Sequence, residues 1–230
     1  MIKLDHLHIA LDDWQMTIDL TVEKGHFCAL IGPSGAGKST ILNAIAGFLP
    51  HASNQLFING VDMAGQKPAE RPVSMLFQDH NLFAHMTIGQ NVALGINPTL
   101  KLSQTDKLAV QEALEQVGLD SMADRLPRAL SGGQRQRASL ARAMLRQKPV
   151  LLLDEPFAAL GPALRKDMLK LVSNLATRSG QTVIMVTHHP EDAQIAADQT
   201  ALVHNGRITQ SGPTEEVFAT PSASLRSYLG

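Results

Sequence analysis

Residues Gly32, Pro33, Ser34, Gly35, Ala36, Gly37, Lys38, Ser39 and Thr40 follow the order G-x-x-x-x-G-K-[ST] with no mismatch. This is the pattern of a phosphate-binding loop. Its small residues let the backbone wrap a triphosphate, so that successive amides and the positive end of a following helix face the anion. In that arrangement Lys38 reaches the β- and γ-phosphates as a point charge, and the Ser39 hydroxyl holds Mg²⁺.

A second group is Val150-Leu151-Leu152-Leu153-Asp154-Glu155-Pro156, an apolar run ending in two acids, the form of a Walker B segment. Asp154 at the end of such a strand orients the magnesium shell, and Glu155, one residue on, polarises an attacking water. A third group is Leu130-Ser131-Gly132-Gly133-Gln134. Ser131 and Gln134 have the spacing of a capping box that opens a helix over 135–145. Capping needs no glycine pair, however. Two bare residues at a helix start let a phosphate approach the amides closely, which makes a second anion site.

These groups must be held by a core. Phe27 to Ile31 reads as a buried strand before the loop, and Thr40 to Phe48, closing near Gly47, as the helix after it. Cys28 to Ile31, Ser74 to Phe77, Val150 to Leu153 and Val183 to Thr187 are short apolar runs separated by helical or mixed segments, as in parallel strands covered on both faces. Ile2 to Ile9, the alternating run Met16 to Val22 and Leu56 to Ile58, with the turn pair Asn59-Gly60, predict a small antiparallel layer. Ala201 to His204 and Arg207 to Gln210 flank Asn205-Gly206 as a hairpin. From about 85 to 147 the pattern is helical, with a capping box at Ser103 and Asp106 and a stop at Gly118. The expected fold is therefore α/β: one domain over 1–230, with an inserted helical lobe.

Composition narrows the class. Twenty Lys+Arg against 21 Asp+Glu give a formal charge of -1, which supplies no footprint for nucleic acid. None of the nine histidines stands in a zinc-site pattern. The lone cysteine, Cys28, falls in the apolar run before the loop and reads as a small core residue. No apolar run approaches the roughly 18 residues of a membrane span. The start of the sequence lacks the apolar stretch of an export signal.

Taken together, the phosphate loop, the acid-ended strand and Leu-Ser-Gly-Gly-Gln resemble the ATP-binding cassette family, along essentially the whole chain. The resemblance implies a head-to-tail homodimer that sandwiches two ATP molecules, each between the phosphate loop of one subunit and Ser131, Gly132, Gly133 and Gln134 of the other. It further implies that Gln78 touches Mg²⁺ and the water, and that His188 contacts the γ-phosphate. Where the family stacks an aromatic on adenine, this chain offers Trp14. Where the turn after the Walker B strand usually carries aspartate, it has Gly161, ahead of Pro162. Through the same resemblance the expected partners are transmembrane permease subunits and a periplasmic solute-binding protein, at the cytoplasmic face of a bacterial inner membrane.

The stretch Glu70 to Gln78, continuing through Asn81-Leu82-Phe83 and Gly95 to Pro98, resembles the ATPases of thiamine importers. The ATPases of iron(III), polyamine, sulfate and molybdate importers, and a non-transport ATP-switched regulator, stand as alternatives.

Overall fold

The structure is a computed structural model that describes residues 1–11, 14–76, 82–158 and 160–230. Phe77, Gln78 and Asn81, all named above, lie outside the described residues.

The chain opens with β1 (Ile2–Leu11) and β2 (Trp14–Val22), whose side chains alternate between buried and exposed, as a sheet with one wet face requires. β3 (Phe27–Ile31) is buried at every residue, and α1 (Lys38–Ala46) follows it. β4 (Leu56–Ile58) and β5 (Val61–Asp62) form a tight hairpin about Asn59 and Gly60, both at positive φ (51° and 81°), as a two-residue primed turn demands. Next come β6 (Val73–Leu76), α2 (Ile88–Ala93), α3 (Gln104–Gln116), α4 (Gly132–Leu145) and β7 (Val150–Asp154). The remainder is α5 (Pro162–Ser179), β8 (Thr182–Val186), α6 (Pro190–Ala196), β9 (Gln199–His204), β10 (Arg207–Pro213), α7 (Thr214–Ala219) and α8 (Ala223–Leu229).

Two sheets result. The first is antiparallel, in the order β2-β1-β4-β5; the second is mixed, in the order β10-β9-β3-β8-β7-β6. In the second, β3 pairs in parallel with β8 on one side and β9 on the other, and only β10 runs antiparallel. The β9–β10 hairpin extends to Gln199 and Pro213, further than the sequence pattern predicts.

Hydrophobic burial fixes how the layers stack. The inner face of the antiparallel layer (Leu4, Leu7, Ile18) meets α1 (Ile41, Leu42, Ile45) and one face of the large sheet (Leu30, Leu152, Ile184) in a single cluster. The other face carries Leu151, Leu153, Val183 and Met185 against Leu169 and Val172 of α5 and Leu140 of α4. Each such Leu, Ile or Val contributes roughly 1.5–3 kcal/mol on leaving water, so β3 is anchored from both sides before any polar contact is counted. α2, α3 and α4 share a third cluster, and α6, α7 and α8 cover the end of the large sheet in a fourth. Cys28 is fully buried, and its thiol is pushed up to about 12 by desolvation, consistent with an inert core residue.

Candidate active site

The phosphate loop sits where β3 ends, in the middle of the large sheet. The helix begins two residues earlier than the apolar pattern predicts, at Lys38, because Gly37 takes the N-cap position in the left-handed region (φ 100°) and turns the chain at once. That position cannot carry a side chain: a Cβ on Gly37 would stand 2.6 Å from the indole ring of Trp14. Gly32 is pinned in another way, since a Cβ there would meet the Val203 carbonyl oxygen of β9. Lys38 is buried, and its ammonium donates to the carbonyls of Gly32 (2.8 Å) and Pro33 (2.9 Å). Burial lowers its pKa, while the charges of Glu155 and Asp154 act in the other direction.

Opposite the loop, β7 delivers the two acids. Ser39 Oγ donates to Asp154 Oδ1 at 2.8 Å, so the hydroxyl of the loop and the carboxylate of the strand already touch. Burial raises the Asp154 pKa, the Ser39 hydrogen bond opposing it and the neighbouring Glu155 charge adding to it. Two oxygen donors at one point, one of them a carboxylate held against its preference for water, suit a hard cation. Glu155 adopts a positive φ (44°), which turns it off the strand axis, and its Oε2 lies 3.2 Å from His188 Nδ1. His188 stands just beyond β8, which pairs with β7 and brings the two together across 33 residues of sequence. The adjacent His189 has its pKa lowered by burial and takes no part in that pair.

A cavity of about 360 Å³ is lined by Trp14, Ser34, Gly35, Gly37, Lys38, Ser39, Thr40 and Glu155. The sequence-predicted residues thus fall into two groups. Most of the loop lines the cavity together with Trp14 and Glu155; Asp154 and His188 join through their hydrogen bonds to Ser39 and Glu155, and the carbonyls of Gly32 and Pro33 hold Lys38. Ser131, Gly132, Gly133 and Gln134 do not line it. They open α4, where the expected capping box is formed in both directions: Gln134 N–H donates to Ser131 Oγ (3.2 Å), and Ser131 N–H donates to Gln134 Oε1 (2.9 Å). The two glycines differ. A Cβ on Gly133 would crowd Leu164 of α5 at 2.8 Å, a packing reason inside this chain, whereas Gly132 leaves its side open.

Sequence reasoning missed several supports. Arg71 is buried, and its guanidinium donates to the carbonyls of Ala44 (2.6 Å), Ile45 (2.9 Å), Met63 (3.0 Å) and Gln66 (3.2 Å). It therefore closes the far end of the helix that begins at Lys38. Behind His188, Thr187 Oγ1 donates to Asp192 Oδ2 (2.7 Å) and accepts from the His189 amide (3.1 Å), while Asp192 pairs with Arg165 of α5 at 3.2 Å. A sequence signal was available only for Asp192, an acid in the first turn of a helix after Pro190.

Such a sheet, with a phosphate loop at the end of its central strand and paired acids at the end of the next strand but one, defines a phosphate-loop nucleotide-hydrolase cassette. A model of the ABC transporter family matches residues 16–158, and the chain belongs to that family. It is similar to the thiamine import ATP-binding protein ThiQ of Cereibacter sphaeroides, at 52% identity over 100% of both chains. It is also similar to the protein of the same name from Photobacterium profundum, at 52% identity over 94% of this chain and 90% of that one. Among solved structures it superposes on cbiO1 from Clostridium perfringens, part of the cbiONQ ABC transporter complex, with TM-score 0.85 at 27% identity, covering 95% of this chain and 90% of that one. The dimeric post-hydrolysis cassette MJ0796, bound to ADP and Pi, superposes with TM-score 0.81 at 26% identity, covering 93% and 99%. Among the described residues no helix is long and apolar enough to cross a membrane.

Proposed function

We propose that this chain is the ATP-hydrolysing subunit of a bacterial ABC importer, and that the imported solute is thiamine or thiamine pyrophosphate. The observation that carries the ATPase reading is the meeting of Lys38, Ser39, Asp154, Glu155 and His188 at the end of the large sheet. The solute reading rests on relatives that bear the name thiamine import ATP-binding protein along the full length of this chain.

In this reading the reaction is phosphoryl transfer from ATP to water. Lys38 exchanges its two loop carbonyls for phosphate oxygens, and amides of the loop join it on the same anion, so negative charge developing on the γ-phosphate meets preorganised donors. Ser39 and Asp154 would hold Mg²⁺, with Gln78 as a third contributor. Bound there, the ion would supply positive charge to offset the negative charge of the phosphates. Glu155 polarises the in-line water, and His188, paired with it, orients the group. Trp14 forms the wall on which adenine stacks; as the sole tryptophan of the chain its emission reports nucleotide arrival.

Ser131, Gly132, Gly133 and Gln134 stand apart from the cavity, which favours a homodimer in which the signature of one copy completes the site of the other. Residues 85 to 147 act as the helical lobe that carries it. The difference in ATP affinity between open and closed dimers would drive the permease subunits. The chain would accordingly sit at the cytoplasmic face of the inner membrane through those subunits, with a periplasmic solute-binding protein completing the importer.

The test is Glu155→Gln, examined alone and beside the permease. Turnover falls by about 10²–10⁴-fold while ATP binding and nucleotide-dependent dimerisation persist. Near-normal turnover would displace Glu155 from its role. Co-purification with a soluble partner in place of a membrane protein, together with no thiamine uptake in reconstituted vesicles, would overturn the importer reading.

A further inference from the structure

The chain has one tyrosine, Tyr228, on the last helix. α8 is fixed in place by two local features. Ser222 caps it, accepting the Leu225 amide (3.2 Å), and Leu225 is fully buried against Ala29 and Ile31 of β3, Ala193 of α6, Leu202 of β9 and Val217 of α7. One turn beyond that anchor, the phenol reaches back 40 residues: Tyr228 Oη donates to the His188 carbonyl oxygen at 2.8 Å. The same half-buried phenol interacts with the backbone of Gly32, the first residue of the phosphate loop. Burial raises its pKa and the Gly32 contact opposes that, so the hydroxyl keeps its proton and remains a donor at neutral pH.

The turn after β8 is thus gripped on two sides. Asp192, braced by Arg165, holds Thr187 and the His189 amide; Tyr228 holds His188 itself. The first grip fixes the residues on either side of His188 and touches none of its own atoms. The second acts on the backbone from which the imidazole projects toward Glu155, 3.2 Å away. A shift of a few tenths of an ångström in that backbone is enough to change a hydrogen bond of this length.

We propose that Tyr228 is a positioning residue for ATP hydrolysis: its hydroxyl sets the backbone of His188, and through it the His188–Glu155 pair. The inference rests on the ATPase reading above. It concerns the rate of the chemical step and not the grip on nucleotide, because Tyr228 does not line the cavity.

The experiment compares the wild type, Tyr228→Phe and Leu225→Val in ATP hydrolysis and in ATP binding by equilibrium dialysis. Tyr228→Phe removes only the hydroxyl; Leu225→Val loosens the packing of the same helix and leaves the phenol intact. The expected result for Tyr228→Phe is a fall in kcat of about three- to tenfold, the size of one neutral hydrogen bond, with KM and ATP affinity within about twofold of wild type. Leu225→Val lowers the thermal midpoint and keeps kcat when assayed well below it. An unchanged kcat in Tyr228→Phe would overturn the proposal. So would a change carried by KM, or an equal loss in both variants, which would make the contact merely structural. A wild type that does not hydrolyse ATP, alone or beside the permease, would sink the ATPase reading and this inference with it.

Discussion

Ser39 Oγ donates to Asp154 Oδ1 at 2.8 Å, joining the first turn of α1 to the end of β7 across 115 residues of sequence. The contact holds a loop oxygen and a strand oxygen at one point. Ser39→Ala removes one of them at a net stability loss of about 1 kcal/mol. We expect Mg²⁺-dependent turnover to fall by about 10²-fold or more, with a right-shifted Mg²⁺ dependence, in a protein whose unfolding midpoint moves little. Equal Mg²⁺ titrations for variant and wild type would remove Ser39 from the metal shell.

Gly161 is the N-cap of α5, with ordinary extended angles (φ −64°, ψ 156°) and no heavy atom within 4 Å of an added Cβ. Aspartate fits there without strain and gains a capping hydrogen bond, which raises stability by a few tenths of a kcal/mol, within the range of about 0.5. If the usual aspartate couples the two sites of a dimer, Gly161→Asp sharpens the cooperativity of turnover with ATP concentration. Identical Hill coefficients and rates in variant and wild type would show that position 161 carries no such coupling.

Arg71 satisfies four carbonyls from α1 and from the turn after β5, all within 3.2 Å. Its guanidinium pKa is lowered by burial, with the Asp62 charge acting against that. Arg71→Ala removes this donor from the Ile45 and Gln66 carbonyls, while the Ala44 and Met63 carbonyls keep the Gly47 and Gln66 amides, and urea unfolding should show a loss of roughly 1–3 kcal/mol. Arg71→Lys recovers only part, since an ammonium cannot reproduce the planar fork. Equal midpoints for wild type and Arg71→Ala would refute this account of how α1 ends.

Asp62 accepts the amides of Asn54 (2.8 Å) and Ala64 (3.0 Å), and those backbone hydrogen bonds hold its carboxyl below the usual carboxylate range. A folded-state pKa below the unfolded one contributes stability above the unfolded value, near pH 4, and loses it as pH falls through the folded value. Urea midpoints measured from pH 7 down to pH 2 should therefore fall less steeply for Asp62→Asn than for the wild type at the acid end. Parallel curves would mean that other groups account for the acid limb.

How much of this was legible in the sequence follows from how local each feature is. The boundaries of β3, the turn at Asn59-Gly60 and the capping boxes at Ser103 and Ser131 are set by neighbours within a few residues, and the structure has each where the pattern puts it. The start of α1 moved to Lys38 because the left-handed Gly37, not an apolar period, begins the helix. Arg71 and Tyr228 were not legible, since both act on carbonyls supplied by distant segments and neither leaves a trace in its surroundings. α7 and α8 have six and seven residues, too short for a helical period to emerge from the sequence.

The place of β3 in its sheet bears on how the molecule comes into being. Both of its neighbours, β8 and β9, are made from residues 182–204, so a nascent chain that has released the phosphate loop still lacks the strands that flank it. During synthesis this apolar segment must wait unpaired for some 150 further residues, a long loop to close and a slow one. The ribosome therefore delivers the nucleotide site last, although its residues are among the first to emerge. A chain truncated before residue 182 would expose β3 as a bare, aggregation-prone strand and hold no nucleotide.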